Sequence, residues 1–317
     1  MATAVHLATH SGYYQYECQD GSWAQTERAL TFWSLSCIAA DPDQLGRLYV
    51  GTAHSGLFIS DDGGHTWARP KPNVPHLGTA SILAGADGVL VGTVPASLFR
   101  RRSDGWEELK ALQLAIGGSS FPPNPELGAR TRYLAADPSQ AFLYAGIEVG
   151  GMLVSEDGGT TWEPANDGLT DPDVHEVSAS RWTAGLAHAA CGEEGLFRST
   201  DRGAHWQLVN PDGPRKYGTA VTEDRDGRVY AGLARGRPNT WIRSEGADAA
   251  IVRSEDGGQT WQPVVEELHG GVLDLCTAAE GDSVFAVTSD GDLLEVSLDG
   301  CRTVASRLPC ISALTAA

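Results

Sequence analysis

Positive charge is scarce in this chain. Among 317 residues, 23 Lys and Arg stand against 41 Asp and Glu, a formal net charge of -18. Such a surface repels a nucleic-acid duplex and an anionic bilayer alike, so neither is expected as a partner. Long apolar runs are missing too: no stretch of roughly 18 apolar residues occurs, and the opening Met1 to Leu7 has no basic segment leading into an apolar one. A cytoplasmic location is the expectation. The six cysteines (Cys18, Cys37, Cys191, Cys276, Cys301, Cys310) never fall at C-x-x-C spacing. That excludes a zinc knuckle and the dense disulfide set of a small secreted domain, and mostly buried thiols are expected. Also absent are H-E-x-x-H, G-x-S-x-G and a phosphate loop, so NAD, FAD and ATP are not implied.

What the chain does have is glycine, at 38 positions, with 41% hydrophobic and only 20% charged residues. This mixture fits many short strands and tight turns rather than long helices. One spacing recurs four times: Ser60-x-Asp62-x-Gly64-x-x-Trp67, and the same pattern at Ser155 to Trp162, Ser199 to Trp206 and Ser254 to Trp261. Partial copies stand at Asp20 to Trp23, Ser103 to Trp106, and Ser297, Asp299 and Gly300 running to Val304. Seven units result, and the steps between their terminal Trp or Val positions match a four-stranded propeller blade rather than a helical solenoid.

Within each unit, alternating apolar runs such as Leu48–Thr52 and Leu57–Ser60 are too short for helices and end in turn residues. The box itself has a structural task. Its Asp accepts hydrogen bonds from the turn, its Gly takes a restricted backbone conformation, and its Ser ties the strand end. The expected fold is an all-β, seven-bladed propeller of four-stranded antiparallel blades, a single domain over 1–317. Val5 to Tyr14 aligns with the second strand of the next unit, so the first blade lacks its innermost strand, and residues 308–317 are expected to supply it.

The boxes resemble the Asp-box (BNR) repeat of sialidases, sortilin-type receptors, xyloglucan-degrading glycoside hydrolases and photosystem II assembly factors. The resemblance implies the propeller fold and leaves function open, because those relatives do unrelated things on one scaffold. True sialidases also carry an arginine triad, a nucleophilic tyrosine with a glutamate, and an Arg-Ile-Pro segment. That segment is absent here, and the chain is not read as a sialidase.

In a four-stranded blade, the link into the innermost strand and the turn between strands two and three share one face, opposite the boxes. Sequence position therefore predicts face. His10, His54, His76, His175 and His269 fall on the box-distal mouth, with Glu148 in a glycine-flanked turn. The same mouth receives Arg130, Arg132, Arg215, Tyr217, Arg235, Arg237, Trp241 and Arg243, from links that include the long inserts at 111–129 and 234–250. This basic island implies a small polar or anionic ligand.

Glu148, His175 and Arg132 are the expected catalytic groups for hydrolase or lyase acid/base chemistry. Arg130, Arg215, Tyr217, Arg237, Trp241 and His54 are the expected substrate contacts. His76, His175 and His269, from like positions in three units, could hold Zn, Cu or Fe. Two alternatives stand beside this reading: a non-catalytic ring that binds a peptide or partner protein through its rim, and a glycoside hydrolase. A glycosidase needs two carboxylates, and Asp171, Asp173 and Asp290 are the candidates by face to join Glu148.

Overall fold

Seven antiparallel meanders close into a ring. The computed structural model describes residues 4–317 apart from 86–87, 122–127, 243, 279–281 and 299; Arg243, Asp299 and part of the 111–129 insert thus lie outside the described residues. Six sheets have four strands and one has three. The innermost strands of blades 1 to 7 are Ile311–Ala316, Leu35–Ala40, Gly78–Gly85, Thr131–Ala136, Val174–Ala179, Tyr217–Glu223 and Val272–Thr277. Blade 2 departs from the expected four strands, because its outermost segment is reduced to one bridge between Ile59 and Ala68. The insert after blade 3 departs as well. It begins as a helix, Ala111–Gly118, that buries Leu112, Ala115 and Ile116 against blade 4.

The ring closes where expected. Strand Ala4–Thr9 pairs with Gly12–Gln19 on one side and with Ile311–Ala316 on the other. Apolar side chains then fill the wedges between blades. One layer joins Leu7, Tyr14, Phe285, Val287 and Leu314 across blades 1 and 7, and another joins Tyr144, Val177 and Phe197 across blades 4 and 5.

The four complete boxes repeat one hydrogen-bond pattern. At the first, the Ser60 hydroxyl donates to Asp62 (2.8 Å) and accepts from the Gly64 N–H (2.9 Å), while Thr66 donates to Asp62 from both backbone and side chain. The boxes at Asp157, Asp201 and Asp256 keep the same Ser and backbone bonds. Gly64 (φ +95°) and Gly258 (φ +83°) sit in the left-handed region. They have a second reason to be glycine: a Cβ would strike the Tyr13 hydroxyl or the His188 ring of the preceding blade. His6 and His188, both within strands, are therefore blade-packing groups. Burial pushes both imidazoles down to about 4.

A second repeating device was not legible in the sequence. Every innermost strand carries a β-bulge against its neighbour, and the residue left out of the pairing is Ser312, Ser36, Ala80, Arg132, His175, Thr219 or Leu273 in turn. A bulge interrupts the ladder and frees a carbonyl. In four cases a side chain of the preceding blade takes up the carbonyl just before the bulge: Ser312 to Leu35, Ser36 to Thr79, Ser81 to Thr131, and His175 to Gly218.

Two outcomes are expected. Deleting residues 308–317 removes the innermost strand of blade 1 and lowers Tm by roughly 10 °C or more; melting at the parent temperature would show that closure does not rest on that strand. Acid should also loosen the boxes. Hydrogen bonds from Thr66 and Ser60 hold Asp62 at about 2, and those from Thr260 and Ser254 outweigh burial to hold Asp256 at about 2. Their contribution is present above the ordinary 3.8 and is lost as pH falls through about 2. Asp256→Asn should flatten the loss of Tm over that window.

Candidate functional site

The channel along the ring axis encloses about 1210 Å³ and is lined by His10, His54, Arg130, Arg132, Tyr133, His175, Glu176 and Asp274, among others. At the box-distal mouth, Glu148 follows strand Leu143–Ile147 in a turn whose next residue, Val149, is itself left-handed (φ 53°). Its N–H donates to the Arg130 carbonyl (3.1 Å). Its carboxylate contacts the Arg130 guanidinium and lies 3.3 Å from that of Arg132. These three residues, which sequence position had placed together, do meet.

A second group adjoins them. His175 is buried, with Nδ1 2.7 Å from the Gly218 carbonyl and Nε2 3.2 Å from the Asp173 carboxylate. The Tyr217 hydroxyl stands 3.5 Å from the same Nε2, and the Tyr217 ring meets Trp241 edge-on. Burial pushes Asp173 up, but the His175 hydrogen bond and the charges of His175, Arg132 and Arg130 outweigh it and hold the carboxyl below its ordinary range. Burial, with Asp173 and Glu193 nearby, pushes the Tyr217 phenol up to about 12. Both His175 nitrogens are thus engaged, so this side chain positions Asp173 and ties blade 5 to blade 6.

The remaining candidates are placed as follows. Trp241 is buried beneath the mouth, its indole N–H on the Gly236 carbonyl at 2.7 Å. His54 is exposed on the channel rim. Arg215 binds Asp248 (2.7 Å) and faces Glu266, Arg235 binds Asp248, and Arg237 contacts Glu193. Among the described residues the expected basic island is consequently neutralised, since each of these arginines, like Arg130 and Arg132, has a carboxylate partner.

His76, His175 and His269 do not share a centre. His76 packs on Phe99 and reaches Thr93, His175 is engaged as above, and His269 pairs with Asp290 at 2.7 Å. Among the described residues, no three or more His, Cys, Asp and Glu side chains stand together in a metal-holding group. The arrangement therefore does not fit the Zn, Cu or Fe site expected from sequence. Asp171 is also committed, its carboxylate accepting from the N–H groups of Asp173, Glu193 and Glu194. All six cysteines are free thiols; only Cys37 and Cys191 are buried, Cys18 and Cys276 are half-buried, and Cys301 and Cys310 are exposed.

Deeper in the channel lies a pair that sequence reasoning missed. Glu176 accepts from the Val221 N–H (3.2 Å), and Asp274 accepts from Leu314 and Leu275 (both 2.9 Å). The two carboxyls repel each other's charge in a desolvated space. Burial, then Asp274, pushes Glu176 well up, and burial pushes Asp274, half open to the channel, up to about 7. Arg132 is the cation that partly offsets both.

The BNR/Asp-box repeat family matches residues 58–69. Three further complete boxes, at Ser155, Ser199 and Ser254, repeat it around a ring of seven blades. The chain is a seven-bladed Asp-box propeller.

It is 29% identical over 158 residues to a probable oligoxyloglucan-reducing end-specific xyloglucanase of Neosartorya fischeri, covering 48% of this chain and 19% of that one. The matched stretch spans about a fifth of the length of the curated relatives. Among solved structures, the GH74 xyloglucanase from Xanthomonas campestris superposes with TM-score 0.69 at 19% identity, over 99% of this chain and 52% of that one. YCF48 bound to D1 peptide superposes with TM-score 0.58 at 15% identity, over 95% and 84%. At these identities the likeness to solved structures is one of fold. Among the described residues, no helix of the propeller is long and apolar enough to cross a membrane.

The raised pair should make the ring sensitive to pH near neutrality. A carboxyl whose folded value lies above its unfolded one contributes stability below about 3.8, and that contribution is lost as pH rises through about 7. Asp274→Asn should therefore gain Tm over the parent as pH goes from 4 to 8; a constant difference across that range would show that Asp274 is ionised throughout.

Proposed function

We propose that the box-distal mouth acts on carbohydrate, cleaving glycosidic bonds with Glu148 and Asp173 as its two carboxylates. The observation that carries this is their shared setting. Glu148 contacts both Arg130 and Arg132, the charges of the same two arginines act on Asp173, and both arginines line a channel of about 1210 Å³. Glycoside hydrolysis asks for such a pair, one carboxyl to protonate the leaving oxygen and one to activate water or stabilise the cationic transition state. Asp173, held below its ordinary range, suits the charged role. His175 positions it, and Arg130 and Arg132 stand ready to donate to sugar hydroxyls.

Charge balance favours this reading over a small anion as substrate. Arg130, Arg132, Arg215, Arg235 and Arg237 all have carboxylate partners, so the mouth offers many hydrogen-bonding groups with little uncompensated charge. That suits a neutral polyol. Similarity to xyloglucanases makes xyloglucan oligosaccharides the first substrates to offer. No cofactor is called for.

A second reading, rim binding of a peptide or partner protein, has one observation in its favour. Phe32, Leu114 and Ile242, on links and turns of this same face, are 97%, 79% and 90% exposed. The likeness to YCF48 bound to D1 peptide points the same way.

With xyloglucan oligosaccharides, Glu148→Gln and Asp173→Asn should each lower kcat by about 100-fold or more at unchanged Tm. An aryl glycoside whose leaving group needs no protonation should restore turnover in whichever variant has lost the acid. Unchanged turnover in folded Glu148→Gln would sink the assigned role, and hydrolysis by neither parent nor variant would favour the rim-binding reading.

A further inference from the structure

The opposite end of the channel, on the box face, carries groups remote from Glu148 and Asp173. The turns between the first and second strands of blades 5 and 6 lie on the box face, at residues 180–186 and 224–228. The N–H of Ser180 closes the first on the Leu186 carbonyl, and that of Asp224 closes the second on the Arg228 carbonyl. Arg181 and Arg225 hold the same place in these two turns, directly after the closing residue. Both are exposed and both line the channel.

Like several other arginines of the chain, these two have no carboxylate partner among the described residues. The cause lies in how the neighbouring acids are used. Buried Glu223 spends one oxygen on the Ser180 hydroxyl (2.6 Å) and the other on the Arg181 N–H (2.7 Å). Buried Asp224 accepts from the N–H groups of Asp226 and Arg228 and from the Arg228 guanidinium (2.9, 2.9 and 3.0 Å). Asp226 is taken by the other arm of Arg228 at 2.6 Å. Every carboxylate within these turns is committed to another donor, and both arginines are exposed.

Trp182 follows Arg181 in the blade 5 turn and reaches across to the blade 6 turn. Its indole N–H donates to the Asp224 carbonyl (3.3 Å), its own N–H donates to the Ser180 hydroxyl (3.2 Å), and its ring lies over Gly227. It is nevertheless 61% exposed. A large, mostly exposed apolar ring held by a neighbouring blade, with one arginine next to it in the chain and another on the turn it packs against, has the make-up of a recognition platform: a flat face to stack on and planar forks for bidentate contact with an oxyanion.

We infer that the box-face mouth is a second binding site, for an acidic sugar, with Trp182 stacking against the ring and Arg181 and Arg225 taking the carboxylates of a uronate oligosaccharide. A polymer is favoured over a single anion because the forks come from two successive blades, so that neighbouring residues of a chain can engage one each. Asp41 and Asp43 line the same channel from blade 2, so the negative charge of the ligand is drawn to the sector of blades 5 and 6. The site is on the far face from Glu148 and does not depend on hydrolysis there.

The test is calorimetric titration of the whole chain with tetragalacturonate, with cellotetraose and ATP as comparators at the same ionic strength. Tetragalacturonate should bind, Arg181→Gln and Arg225→Gln should each weaken it by about tenfold, and the pair together should abolish it. Glu148→Gln should bind as the parent does, and Trp182→Leu should lose affinity at a Tm measured alongside. Equal binding of cellotetraose would overturn the role of charge, tighter binding of ATP would overturn the sugar assignment, and absence of binding to the parent, or full binding by the double arginine variant, would overturn the site.

Discussion

Closure of the ring depends on one antiparallel pairing between strands from opposite ends of the chain, Ala4–Thr9 and Ile311–Ala316. Every other blade is local, built from consecutive strands whose turns bring them together at small entropic cost. Blade 1 alone needs its innermost strand delivered from some 300 residues away. Without that pairing the ring would present open edges at blades 1 and 7 and lose the wedge of Leu7, Phe285, Val287 and Leu314. The channel, the two mouths and the convergence of links from different blades all presuppose it.

Lateral order between blades comes from two devices working at different radii. Near the axis, bulges free carbonyls that side chains of the preceding blade take up, as Ser312, Ser36, Ser81 and His175 do. Farther out, box glycines let Tyr13 and His188 of one blade lie flat against the turn of the next. The first device explains why polar residues sit in innermost strands without solvating a pore. It also sets the identity of the channel wall: what a blade contributes there, whether Arg132, His175, Thr219 or Leu273, is the residue that its bulge pushes out of the ladder.

The architecture was legible because the box needs the same chemistry at the same spacing each time, Ser and Asp to cap, Gly to turn and Trp to pack. Face assignment followed from connectivity alone, and it was enough to bring Glu148 together with Arg130 and Arg132. Three things were not legible. Bulge residues share no side-chain type, so nothing in Ser36, Ala80 or Leu273 marks them as equivalent. The partners that neutralise the arginines, Asp248, Glu193 and Glu266, lie on separate links or turns or on an outer strand, and only packing shows which pairs form. Glu176 and Asp274 read as ordinary polar strand positions; their interaction spans two blades and exists only because the ring is closed.

The distribution of thiols opens a practical route into this molecule. Cys301 and Cys310 are exposed, whereas Cys37 and Cys191 are sealed in the core and Cys18 and Cys276 are partly covered. Cys310 sits beside the channel entrance, where its carbonyl receives the His10 N–H, and Cys301 lies on the outermost strand of blade 7. Brief treatment with a maleimide dye would thus decorate the native chain at an inner and an outer radius, giving an optical ruler across the ring without any engineered attachment point.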